Sequence, residues 1–137
     1  MEENVRSGGC VCGAVRYEVE LDLSAGTNQC NCSICAKASL WSASVKPEAF
    51  RLLSGEESLG DFQRAGRFTH YLFCKHCGVR SFARGDAPWM GGPYVAINVN
   101  CLDDADGALG GVLVRHFDGR HDRWENPRME WTPPAVG

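Results

Sequence analysis

No apolar run in this chain of 137 residues approaches the roughly 18–20 residues that a membrane-crossing helix requires. An excess of positive charge is missing too. The formal net charge is −3, so there is no basic field to attract phosphate backbones, and nucleic acid is not an expected partner. The first residues, Met1-Glu2-Glu3-Asn4, are acidic and are followed by no apolar stretch; no secretory signal is read there, and a cytoplasmic setting with neither membrane nor nucleic-acid partner is the expectation. Low-complexity segments, internal repeats and linkers rich in Pro, Gly or Ser are also lacking, and the length is that of one domain, here residues 1–137.

Long helical periodicity is equally scarce. Gly55, Gly60 and Gly66 interrupt the middle of the chain. Ser33 to Leu40 has room for a turn or two of helix, and Pro47-Glu48-Ala49-Phe50 for one short turn. What is present is β signal. Ala14 to Leu21 alternates apolar and polar residues with the period of a half-buried strand. Trp41 to Val45, Phe68 to Phe73 and Tyr94 to Val99 are short β-branched or aromatic runs bounded by turn residues. Val112 to Phe117 leads into Asp118-Gly119, which reads as a hairpin turn returning through Arg120 to Trp124. Pro88 to Pro93 reads as a loop. A mainly β fold follows.

Eight cysteines contrast with these absences. In a reducing compartment they stay as thiols or bind metal. Seven fall into three groups: Cys10 and Cys12; Cys30, Cys32 and Cys35; Cys74 and Cys77. Pairs this closely spaced let a tight loop aim two sulfurs at one ion, and zinc takes thiolate sulfur tetrahedrally at about 2.3 Å. Glycine directly follows Cys12 and Cys77, where it permits backbone angles closed to other residues. The simplest partition keeps Cys30, Cys32 and Cys35 together and leaves Cys10, Cys12, Cys74 and Cys77 as a four-thiolate set. Pairing Cys10 and Cys12 with Cys30 and Cys32 is an open alternative. Four protein ligands make a closed structural site, whereas three leave a position for water or substrate. Cys101 stands apart as a buried or half-buried thiol. His76 lies between two ligands and is expected to point away from the metal. His70, His116 and His121 have no motif support.

Taken together, the stretches Gly8 to Tyr17, Cys30 to Lys37 and Phe73 to Gly78 resemble the glutathione-dependent formaldehyde-activating enzyme family, which includes centromere protein V. Weaker agreement continues through Asn98 to Asp103 and the Asp118-Gly119-Arg120-His121 turn. The resemblance implies a single zinc-binding domain of this type and a β-tent, small antiparallel sheets joined through a structural zinc. It implies that Cys10, Cys12, Cys74 and Cys77 hold that zinc, that Cys30, Cys32 and Cys35 hold a catalytic zinc, and hence two Zn2+ per chain. It also implies carbon–sulfur lyase chemistry on a glutathione adduct such as S-hydroxymethylglutathione. Asn31 and Ala36 stand where the family commonly has His and Arg; Lys37 is retained.

The chemistry of the open set points the same way. Zinc with three thiolates carries a formal charge of −1, which blunts its Lewis acidity and disfavours water activation. Such a soft site accepts a further thiolate and deprotonates it, which suits a small-molecule thiol adduct as partner. Lys37, Lys75, Arg80 and Arg84 lie near the motifs as candidate counter-charges, none assigned a contact. The competing functions are a non-catalytic zinc module that binds a protein partner, and a thiol redox protein using Cys74 and Cys77, although the βαβ context of such pairs is not seen. Four-cysteine iron sites are compatible with the spacing.

Overall fold

A computed structural model describes residues 4–64 and 68–134; Gly66 and the residues Met1, Glu2 and Glu3 lie outside them. Among the described residues no helix is long and apolar enough to cross a membrane.

The described residues form eleven strands and two short helices. The strands are β1 (Val5–Gly9), β2 (Arg16–Glu20), β3 (Thr27–Cys30), β4 (Trp41–Val45), β5 (Phe50–Ser54), β6 (Leu59–Phe62), β7 (His70–Cys74), β8 (Phe82–Ala87), β9 (Gly92–Asn98), β10 (Leu113–Asp118) and β11 (Arg123–Trp131). The helices are α1 (Ser33–Ala38) and α2 (Ala105–Ala108). A three-stranded sheet runs β1-β2-β5, and an eight-stranded sheet runs β11-β10-β3-β4-β9-β8-β7-β6.

The mainly β expectation holds, with one pair outside the antiparallel pattern: β10 lies parallel to β3, Phe117 opposite Cys30. β4 has the limits its sequence suggests, and Pro47–Ala49 is the short turn expected ahead of β5. The return from the hairpin differs from the Arg120 to Trp124 expected. Gly119–His121 is a 3-10 turn, and the returning strand starts at Arg123 and runs on to Trp131.

Alternation explains what is buried. Tyr17 and Val19 of β2, and Val95 and Ile97 of β9, face inward every second residue. They meet Val15, Leu72, Phe82, Val99, Leu102, Leu109 and Val112 in one apolar cluster. Tyr17, Phe50 and Phe82 pack with ring centroids 4.6–6.0 Å apart, tilted or edge-on as the ring quadrupoles prefer.

The smaller sheet is fastened at several points. Gly8 bridges Leu102, and Asp103 N–H donates to Ser7 O at 2.9 Å. Arg16 Nη1 donates to Asp103 Oδ1 at 2.9 Å, and Arg6 pairs with Asp104. Cys10 and Cys12 leave β1 while Cys74 closes β7, so the first and third cysteine groups meet where the two sheets converge.

Candidate functional site

The sulfurs of Cys10, Cys12, Cys74 and Cys77 all lie within 4.8 Å of one another, and so do those of Cys30, Cys32 and Cys35. The structure thus brings the cysteines together in the four-plus-three partition. Cys101 belongs to neither group: it is half-buried, its Sγ 3.8 Å from Arg80 O, and burial pushes its thiol up to about 11.

In the four-cysteine group, Cys12 Sγ stands 3.6 Å from both Cys10 Sγ and Cys74 Sγ. Four sulfurs at 2.3 Å from a tetrahedral centre lie about 3.8 Å apart, so these residues fit a metal ion. Two matching loops produce the arrangement. Cys10 N–H donates to Val15 O at 3.1 Å and Cys74 N–H to Val79 O at 3.0 Å. Each loop also turns a backbone N–H onto its first sulfur, from Val15 to Cys10 at 3.3 Å and from His76 to Cys74 at 3.4 Å. Gly13 (φ 85°) and Gly78 (φ 79°) make the bends; a β-carbon at either would meet nothing within 4 Å, so the backbone angle and not space selects glycine. The backbone N–H of Val79, then that of Cys12, hold the Cys77 thiol down to about 6.

The three-cysteine group is built where β3 runs into α1. Cys30 ends the strand, Cys32 directly precedes the helix and Cys35 lies within its first turn. Ala36 N–H donates to Cys32 O at 2.8 Å, and the residues three apart across this turn share one side of the helix. Cys30 is held far below the usual thiol range, to about 5, first by a hydrogen bond from Cys35, with burial opposing, and then by the N–H groups of Cys32 and Gly119. The same bond, followed by burial, pushes Cys35 up. All three cysteines are partly exposed and no fourth Cys, His, Asp or Glu joins them among the described residues. The set can hold a metal ion and leave one position open.

Asn31 locks this group to the turn after β10. Its N–H donates to Phe117 O at 3.2 Å, and its side-chain Oδ1 accepts from Arg120 N–H at 2.9 Å. Its Nδ2 donates to Asp118 Oδ1 at 2.8 Å, and His121 Nδ1 reaches the same carboxylate at 2.8 Å. These contacts, Asn31 first and His121 second, hold the Asp118 carboxyl below its ordinary range.

A cleft of about 640 Å³ opens beside Cys30, with Gln29, Asn31, His116, Arg123 and Arg128 among the residues of its wall. On the side of β7, burial and then the charge of Cys35, Cys32 and Cys30 push the Tyr71 phenol up to about 12. Arg64 Nη2 donates to Ser33 Oγ at 2.7 Å, at the start of α1.

No histidine joins either cysteine group. His76 is exposed, its Nε2 3.2 Å from Ser58 Oγ, while His70 pairs with Asp61 and His116 with Glu130. Among the basic residues marked near the motifs, Arg80 lies over the Phe62 ring and Arg84 over those of Phe50 and Phe82. Lys37 and Lys75 are exposed. The arginines of the cleft, Arg123 and Arg128, and the phenol of Tyr71 carried no sequence signal. Each reaches the open group only through folding, from strands more than thirty residues away along the chain.

The model of the family described as glutathione-dependent formaldehyde-activating enzyme matches residues 5–112. A solved structure of a protein from Rhodobacter sphaeroides is similar at 30% identity and a TM-score of 0.63, over 71% of this chain and 87% of that one.

Proposed function

The chain belongs to the glutathione-dependent formaldehyde-activating enzyme family, and from that premise we propose that it makes or breaks the sulfur–carbon bond of a glutathione-derived adduct at a zinc held by Cys30, Cys32 and Cys35. The observation that carries this reading is the convergence of those three sulfurs, partly exposed, at a cleft that Cys30 itself lines. Cys10, Cys12, Cys74 and Cys77 hold the second, structural zinc.

A zinc held by Cys30, Cys32 and Cys35 would supply a soft centre able to stabilise a substrate sulfur as thiolate. The overall change is balanced. In S-hydroxymethylglutathione the hydroxyl proton is lost, the carbon–oxygen double bond forms, and the carbon–sulfur bond breaks with its electron pair going to sulfur. The reverse joins a thiolate to formaldehyde and takes up one proton. The protein's own residues shape the surroundings. Asn31 fixes the Asp118 turn against the cysteines, and the N–H of Gly119 adds a hydrogen bond to Cys30 sulfur. Burial, and then the charge of Cys35 and Cys32, keeps the Tyr71 phenol protonated.

The test pairs metal counting with turnover. Native mass spectrometry of protein purified without chelator should find two zinc ions per chain, and one after Cys35→Ser. Formaldehyde release from S-hydroxymethylglutathione should fall at least about a hundredfold in that variant, the scale of losing a catalytic group. Turnover that survives the substitution overturns the mechanism, and a single zinc in the unaltered protein favours a purely structural module.

A further inference from the structure

The wall of the cleft facing the cysteines comes from β10 and β11, beyond the residues 5–112 that the family model spans. Position along these strands decides what faces the cleft. Arg128 lies opposite His116, which lies opposite Gln29, and Arg123 lies opposite Asp118. His116 and Asp118 are two apart and therefore share a face, the face on which Asn31 meets Asp118. Between those two rows β11 bulges: its pairing with β10 shifts register, and Asn126 adopts φ 55°. Bulges re-aim side chains and commonly flank sites. Here Glu125 is part of the cleft wall.

Sorting the charged groups of the wall by partner leaves a simple set. His116 is taken by Glu130 at 2.8 Å, and Asp118 by Asn31 and His121. Among the described residues, Arg123, Arg128 and Glu125 have neither an ion pair nor a side-chain hydrogen bond. Two cations and one anion thus face a cleft of about 640 Å³, a volume within the range of roughly 300–1,000 Å³ for small-molecule sites. Glutathione carries the complementary set, two carboxylates and one ammonium, around a central thiol. Arginine is the side chain best shaped for a carboxylate, which it can bind through two parallel N–H bonds.

We propose that Arg123, Arg128 and Glu125 form a charge clamp that reads the two carboxylates and the ammonium of a γ-glutamyl tripeptide thiol, setting which thiol adduct the open site accepts. The clamp rests on the thiol-adduct reading of that site, yet it makes contacts separate from the metal. It therefore selects against neutral thiols. Because its charges are exposed, its contribution weakens as salt rises over a Debye length of about 8–10 Å near physiological ionic strength.

Calorimetry on the zinc-loaded protein separates the clamp from the metal. S-methylglutathione carries every charge of the tripeptide but no free thiol. It should bind the unaltered protein and lose at least about tenfold in affinity in the double variant Arg123→Gln/Arg128→Gln, the scale of a charge-assisted bond or two. Glu125→Gln should weaken S-methylglutathione but not its N-acetyl derivative, which has no ammonium. The melting temperatures of these surface variants check that each is folded. No measurable binding to the unaltered protein, or equal affinity in the double variant, overturns the clamp. 2-Mercaptoethanol has a thiol and no carboxylate, so Cys35→Ser should abolish its binding and the double variant should leave it unchanged. Failure of that arm alone sinks the zinc–thiol reading and leaves the clamp standing.

Discussion

A β-carbon at position 119 would overlap Cys30 Sγ and stand 2.6 Å from the ring of Trp124. The indole is exposed and can swing aside, but Cys30 has a short side chain whose sulfur is needed in the three-cysteine group. The glycine is therefore selected by close approach, unlike Gly13 and Gly78, which are selected by backbone angle. Gly119→Ala should push the turn and the sulfur apart, at the cost of about 1–3 kcal/mol typical of overpacking. The expected result is native mass spectra in which the population with two zinc ions shrinks toward one while the fold persists. Two full equivalents with an unchanged melting temperature would show that the turn yields freely.

Among the elements, the β10–β11 hairpin matters most, since it forms one wall of the cleft and is tied to β3 through Asn31. The tie can be read from Asp118. Its carboxyl titrates below the unfolded reference of about 3.9, first because Asn31 donates to it and then because His121 does. A depressed carboxyl contributes stability that is fully present above the unfolded value and fades as pH falls through the folded one. Asn31→Ala should raise the Asp118 pKa toward 3.9, measured by NMR titration, and speed hydrogen exchange across residues 119–122. An unmoved Asp118 would place the cause elsewhere. The hairpin also shows where sequence reading stops. β2, β4, β7, β9 and β10 were legible, to within a few residues, from apolar alternation or β-branched runs. β1 (Val-Arg-Ser-Gly-Gly), β3 (Thr-Asn-Gln-Cys) and β8 (Phe-Ala-Arg-Gly-Asp-Ala) carry little intrinsic β preference. They become strands because partners on one or both sides satisfy their backbone groups. β11 carries Pro127 and a bulge, which hid its length. The cysteine groups were legible because short spacing is itself the geometry, whereas the cleft was not, because it depends on which strand lies beside β3.

At the scale of the molecule, the four-cysteine group joins the β1–β2 loop of the smaller sheet to the end of β7 in the larger one. A structural zinc contributes about 10–16 kcal/mol of apparent binding free energy, as much as the whole net stability of a typical domain, about 5–15 kcal/mol. Cys77→Ser should therefore unfold the protein or lower its melting temperature by tens of degrees. Cys35→Ser should cost the zinc proposed for the open group with a far smaller shift, because α1 has no buried residue and borders the cleft. Similar melting curves for the two variants would contradict this division between a closed site and an open one.

The parallel pairing of β3 with β10 has a consequence in time. Thr27 and Val114 are partners, and the chain between them must be made before they can meet. A contact of such long sequence separation is slow to form. By then Cys10, Cys12, Cys30, Cys32, Cys35, Cys74 and Cys77 have all left the ribosome, but the wall beside Cys30 arrives only with β10 and β11. The newborn chain thus passes through a period in which Cys30 has neither that wall nor the Gly119 N–H beside it, and its cysteines depend on the reductant and metal supply of the surroundings during that interval.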